Sequence, residues 1–108
     1  MQRSLLMFNE SIKSEATRIN YLGNLNKFLA WSKLKDYDAI LKVDDNTLQV
    51  MLEDYVFHLK KIYNPNSVPK YISGIEHFLI INDKELKFKK LHKLFPEQKK
   101  RISYPSAV

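Results

Sequence analysis

Cysteine is absent from this chain, which excludes disulfide scaffolds, thiolate zinc centres and cysteine nucleophiles together. Glycine and proline are scarce, with two and four residues in 108. All-β folds need turn residues about every 8–12 positions, so this poverty points to helices. No apolar run approaches the ~20 residues of a membrane span. The start Met1-Gln2-Arg3-Ser4-Leu5-Leu6-Met7-Phe8-Asn9-Glu10 is too short and too soon acidic for a secretory signal. The expected setting is a reducing, cytoplasmic one without membrane contact. Also missing are a His-Glu-x-x-His pair, a glycine-rich phosphate loop and a Gly-x-Ser-x-Gly elbow. His58, His77 and His92 lack metal-ligand spacing, and the carboxylates nearest them, Asp54 and Glu76, read as surface charges. No catalytic residue, metal or cofactor is expected, and nothing reads as an enzyme acting alone.

What remains is an ordinary globular composition, 44% hydrophobic and 28% charged, in a length that suits one domain with one core. The net charge of +6 favours a polyanionic partner, and its placement is uneven. Between Asp36 and Asp54, six acids stand against Lys42, giving −5. Between Asp83 and Arg101, eight bases stand against three acids, giving +5. Nucleic-acid binding produces such asymmetry, and so does a solvated lysine-rich helix face.

Periodicity predicts four helices, an all-α bundle. The first runs from Ser14 to Ser32, capped by Ser14, with Tyr21, Leu22, Leu25, Phe28 and Leu29 on its apolar face. A loop through Lys33, Lys35, Asp36, Tyr37 and Asp38 follows. The second helix starts after Asp44 or Asp45 and buries Leu48, Met51, Leu52, Tyr55, Val56, Leu59, Ile62 and Tyr63. Asn64-Pro65-Asn66-Ser67 is a turn. The third helix spans Ser67 to Asn82, with Val68, Tyr71, Ile72, Ile75, Phe78 and Leu79 inward and Pro69 tolerated in the first turn. A shorter helix covers Leu86 to Phe95, with Phe88, Leu91, Leu94 and Phe95 inward, and Pro96 closes it. The tyrosines on these stripes and Trp31 read as packing residues, Trp31 at the bundle's edge.

Two polar faces stand out. Asn20, Gly23 and Lys27 lie opposite the first apolar stripe, with Asn24 at the edge of that face, and Lys70, Ser73, Gly74 and His77 lie opposite the third. Short side chains allow close backbone approach, and Asn, Ser, Lys and His supply donors for phosphates and base edges. A merely solvated surface has the same composition.

The order of residues resembles the core-binding domain of tyrosine recombinases, the phage-integrase and Xer type. Ser14-Glu15-Ala16-Thr17, then Tyr21, Leu25, Phe28 and Trp31, is similar to that domain's Ser-x-x-Thr-x-x-x-Tyr-x-x-x-Leu-x-x-Phe opening. Ser67 followed by Tyr71-Ile72-Ser73-Gly74-Ile75-Glu76-His77-Phe78 resembles its second signature, and Leu48 to Leu59 its second helix. The resemblance covers roughly Ser14 to Arg101. It implies a four-helix SAM-like bundle with an arm at residues 1–13, a DNA-binding domain at 14–95 and a basic linker at 96–108. It further implies a clamp on duplex DNA, placed at the nucleoid, working in integration or recombination with other protomers. The helices carrying the two polar faces would meet the major groove. Thr17, Arg18 and Ser67, in first turns, would offer backbone N–H groups to phosphates, and Lys99, Lys100 and Arg101 would follow the duplex toward a catalytic domain. That domain has no counterpart among these residues, since the chain stops at Pro105-Ser106-Ala107-Val108, about where it would begin; Tyr104 is a linker residue. Asn64-Pro65-Asn66 and Pro69 depart from the family pattern. The alternative is a small helical protein-interaction or regulatory module, because Val50 and Phe57 point away from the second helix's core stripe. They would then be covered by Leu5-Leu6-Met7-Phe8 or by a neighbouring protomer.

Overall fold

Ser14, Asp36 and Asp44 each stand where a helix must begin, and each side chain accepts a hydrogen bond from the backbone N–H three residues on. The partners are Thr17 at 3.3 Å, Ala39 at 2.9 Å and Thr47 at 3.0 Å. Such caps satisfy donors that the first turn leaves open, at about 1 kcal/mol each. In this computed structural model, which describes residues 2–95, they open α2 (Glu15–Ser32), α3 (Tyr37–Lys42) and α4 (Asp45–Ile62). α1 (Arg3–Ser11) precedes them. A 3-10 turn at Pro65–Ser67 leads into α5 (Val68–Ile81), and α6 (Phe88–His92) closes the described chain. Among the described residues the fold is all-helical, with no strand, and no helix is long and apolar enough to cross a membrane.

α5 is the central element. Among the described residues its most extensive packing is with α2, α1 also packs on it, and α4 supports it while holding α6. Leu25 and Phe28 of α2, Leu52 and Leu59 of α4, and Ile72, Ile75 and Phe78 of α5 are sealed in one core. Each such side chain contributes about 1.5–3 kcal/mol of burial. Trp31 covers the bundle's edge, its ring 5.0 Å from that of Tyr55 and 5.8 Å from that of His58.

Several expectations are corrected. Residues 3–11 form a helix where an arm was expected, and its Phe8 is fully buried, edge-on to Phe78. α1 packs on α5 and α3, so it does not cover Val50 and Phe57, which stay 54% and 46% exposed. Part of the loop after Ser32 is α3, giving six α-helices among the described residues where four were expected. Ile62, assigned to the core stripe, is 55% exposed because α4 ends there. Gly74, assigned to an outward face, is buried: a Cβ on it would stand 2.7 Å from the Tyr21 carbonyl oxygen. Pro96 and the basic segment after it lie outside the described residues.

Candidate functional site

Asn20, Asn24 and Lys27 recur at i, i+4 and i+7 along α2, one stripe of a helix with 3.6 residues per turn. The stripe meets α5 at its middle. Asn24, only 8% exposed, donates from Nδ2 to the Lys70 carbonyl oxygen at 3.2 Å. Asn24 is therefore a clip between helices, not a free donor as the sequence had implied. One turn away on either side, Asn20 and Lys27 are exposed, as is the Lys70 side chain beside the clip. Gly23 faces open space, with nothing within 4 Å of where a Cβ would stand. The two polar faces thus join into one surface at the α2–α5 seam, made of Asn20, Gly23, Lys27 and Lys70 and containing no acid among these positions. The neighbouring acids are engaged: Glu15 pairs with Arg18 at 3.6 Å, and Glu76 with His92 Nε2 at 2.6 Å. Glu76 is half-buried, not the surface charge expected; burial pushes its carboxyl above the usual range, opposed by His92.

The other expected contacts behave differently. The Thr17 N–H is used by Ser14, the Arg18 N–H goes to the Ser14 carbonyl at 3.0 Å, and the Ser67 N–H goes to the Asn64 carbonyl at 2.8 Å. None of these three first-turn amides is open to an incoming phosphate. The Ser73 hydroxyl bonds back to the Pro69 carbonyl at 2.9 Å. His77 is turned inward between the rings of Phe8 and Tyr21, each 5.8 Å from its own. Lys99, Lys100 and Arg101 lie outside the described residues.

His77 Nε2 lies 2.7 Å from Ser11 Oγ, a partner that no pattern in the sequence announces. The pair is not a nucleophile and its base. The Ser11 hydroxyl already donates to the Phe8 carbonyl at 2.8 Å, so its one proton is occupied and His77 is the donor through Nε2. The pair fastens α1 to α5. Burial lowers the His77 pKa from the ordinary 6.5. The unfolded chain then binds the proton more readily, so this contribution is complete above about pH 6.5 and is lost as pH falls through that value toward the folded one. Urea midpoints at pH 7.5 and 5.5 should fall toward acid, and His77→Gln, which keeps a donor for Ser11, should flatten that dependence. An unchanged slope in the variant would assign it elsewhere.

The charge asymmetry of the sequence also has an internal outlet. Lys84 pairs with Asp45 at 2.8 Å and Lys90 with Glu53 at 3.4 Å, so part of the basic stretch faces the acidic one across the fold. Each joins a largely buried side chain, Lys84 or Glu53, to an exposed partner. Their significance is that those lysines are not free charge. Between α4 and the α5–α6 link a groove of about 530 Å³ is lined by Gln49, Val50, Glu53, Leu86 and Lys87. Its buried amide, Gln49, is fully used: it bonds Glu53 and both the carbonyl and the N–H of Lys87. No group of three metal-ligating side chains occurs among the described residues.

Comparison of the chain with protein-family models, with curated proteins and with solved structures finds no match.

Proposed function

We propose that the chain is a duplex-DNA-binding module of the tyrosine-recombinase core-binding type, a SAM-like bundle that grips a recombination site without cutting it. The observation that carries this reading is the α2–α5 seam. The helices with the two family-like signatures pack on each other, Asn24 ties α2 to α5 at Lys70, and beside this tie the exposed Asn20, Gly23, Lys27 and Lys70 include two lysines and no acid. On rigid helices Lys27 and Lys70 have a fixed spacing, as reading a groove requires, whereas loosely placed charge provides attraction alone. The internal pairing of Lys84 and Lys90 shifts weight from overall charge to this surface.

Titration of labelled duplex DNA tests it. With four to six phosphates neutralised, log K should fall against log salt with a slope of about −4 to −5. A flat dependence, or no binding at low salt, removes DNA and leaves the protein-interaction reading. Within that reading Lys70→Ala should cost about 1–3 kcal/mol on a duplex selected from a random pool and weaken the preference for it. Replacing Lys99 and Lys100 together should weaken all sequences alike and reduce the slope by about two. Equal losses on selected and scrambled duplexes for Lys70→Ala would make Lys70 a phosphate contact only.

A further inference from the structure

Aromatic rings from α2, α4 and α5 gather at the end of the bundle where α2 finishes and α5 begins. Phe28 and Trp31 of α2 stand 5.1 and 5.0 Å from the ring of Tyr55 on α4, and His58 stacks on Tyr55 at 6.0 Å. Tyr63, the residue after α4, stacks on Tyr71 of α5 at 4.4 Å. Burial pushes the Tyr55 phenol up to about 12, and the phenols of Tyr63 and Tyr71 add to that rise, so the three hydroxyls are electrostatic neighbours. Phe28 and Tyr55 are buried, but Trp31, His58, Tyr63 and Tyr71 each keep part of their surface. The polar tips of the cluster are unused. Neither the Trp31 N–H, the His58 ring nitrogens nor any of the three phenols forms a hydrogen bond among the described residues. Buried tyrosine and tryptophan tips usually find a partner, so packing alone leaves this end of the bundle incomplete. Exposed lysines flank it: Lys27 lies one turn before Trp31, and Lys70 precedes Tyr71.

We infer that this aromatic end takes an unpaired nucleobase from the nucleic acid held at the α2–α5 seam. The inference rests on the DNA reading and adds to it the feature of the DNA that is recognised. A nucleobase uses all three properties of the site. Its flat face stacks on the partly exposed rings, its edge meets the unused donors and acceptors, and its flanking phosphates fall beside Lys27 and Lys70. An uncharged ring such as a sugar would leave the lysines without a role. Bases inside a duplex have their faces covered by their neighbours, so the base must come from a bulge, a mismatch or a single-stranded stretch, where unstacking costs least.

Trp31 is the single tryptophan of the chain, so its emission reports on this end of the bundle alone. The probes are a fully paired duplex and the same duplex carrying an unpaired thymine, each titrated against the whole chain. The bulged probe should quench Trp31 emission and bind about tenfold tighter than the paired one, as one stacked base provides. His58→Ala, on α4 and away from the seam, should reduce that preference about fivefold and leave affinity for the paired duplex unchanged. Tyr55→Phe keeps the ring and its packing, and should reduce the preference about threefold through the hydroxyl alone. Circular dichroism on both variants confirms the fold, and the quench in the wild type needs no variant. Equal binding of the two probes, or tighter binding of the bulge without a change in Trp31 emission, overturns the inference and leaves the duplex reading standing. So does a preference indifferent to both substitutions, which would assign it to the bend that a bulge introduces. Binding of the bulged probe alone would support the inference and overturn the duplex reading, and binding of neither probe overturns both.

Discussion

Gly23→Glu should lower duplex affinity by about 30–100-fold while leaving the protein folded. The two halves of that expectation have separate grounds. On the folding side, nothing lies within 4 Å of the position a Cβ would take, and the backbone there is ordinary α2. Glycine in an exposed helix interior is about 1 kcal/mol worse than most residues, so glutamate should be neutral to slightly stabilising. On the binding side, Gly23 is the gap in the α2 surface, between Asn20 and Lys27. A glutamate there adds bulk where the proposed contact is closest, and adds negative charge beside phosphates. One unit charge at 4 Å from another contributes about 1 kcal/mol in water and more as water is excluded. Repulsion from two phosphates, with the lost approach of Lys27, gives about 2–3 kcal/mol, which is the stated range. Gly23→Ala separates the effects, since it matches the helix propensity and adds neither charge nor reach. Circular dichroism and a duplex titration on both variants decide the matter. A helical Gly23→Glu protein that binds as wild type means that α2 does not face DNA.

The parts of this fold that were legible in the sequence are those whose local signals agree. α2 and α4 combine a capping residue with a long stripe, and Ser14 and Asp44 cap them in the structure as expected. α5 has no side-chain cap, but Pro69 in its first turn and the Val68-to-Leu79 stripe were enough. α1 was missed for a physical reason. Its core-facing Leu5, Phe8 and Ile12 do recur at i, i+3 and i+7, but the contiguous run Leu5-Leu6-Met7-Phe8 masks that spacing, Gln2 makes no cap bond, and only Ser4 and Phe8 are buried. Such a segment is helical because α5 and α3 hold it, through Phe8, through the Ser4–Asp38 hydrogen bond and through His77, and none of these is local. α3 is six residues long, too short for periodicity to register, although Asp36 is a legible cap.

The candidate site was legible in outline and misread in depth. The sequence separates α5 into one apolar and one polar face, but a central helix is covered on more than one side, so Gly74, Ser73 and His77 lie against neighbours. Asn24 was misread for the same reason: a polar residue that tethers a buried carbonyl is indistinguishable in sequence from one that faces water. Exposed Asn20, Gly23, Lys27 and Lys70 are what survives of the two faces once packing is taken into account.

Gly74→Ala should destabilise the protein by about 2 kcal/mol, although alanine is the better helix former. A Cβ at this position would stand 2.7 Å from the Tyr21 carbonyl oxygen, 2.9 Å from its Cα and 3.1 Å from its Cβ. Two of these are backbone atoms of a rigid helix, so no side-chain rotation relieves the contact, and α2 must move away from α5. Overpacking of this kind costs typically 1–3 kcal/mol and more when backbone must shift, against about 1 kcal/mol gained in helix propensity. In a domain of this size the loss corresponds to a fall in Tm of about 10 °C. Gly23→Ala, on the open side of α2, should move Tm slightly upward, and the opposite signs make the pair a test of the packing and not of glycine as such. The consequence extends to the proposed function. Separating the helices lengthens the Asn24 bond to the Lys70 carbonyl and alters the spacing of Lys27 and Lys70, so Gly74→Ala should also reduce discrimination between selected and scrambled duplexes at temperatures where it remains folded. A Gly74→Ala protein as stable as wild type would show that the close approach at Tyr21 yields at little cost, and the fixed spacing of the two lysines would lose its physical basis.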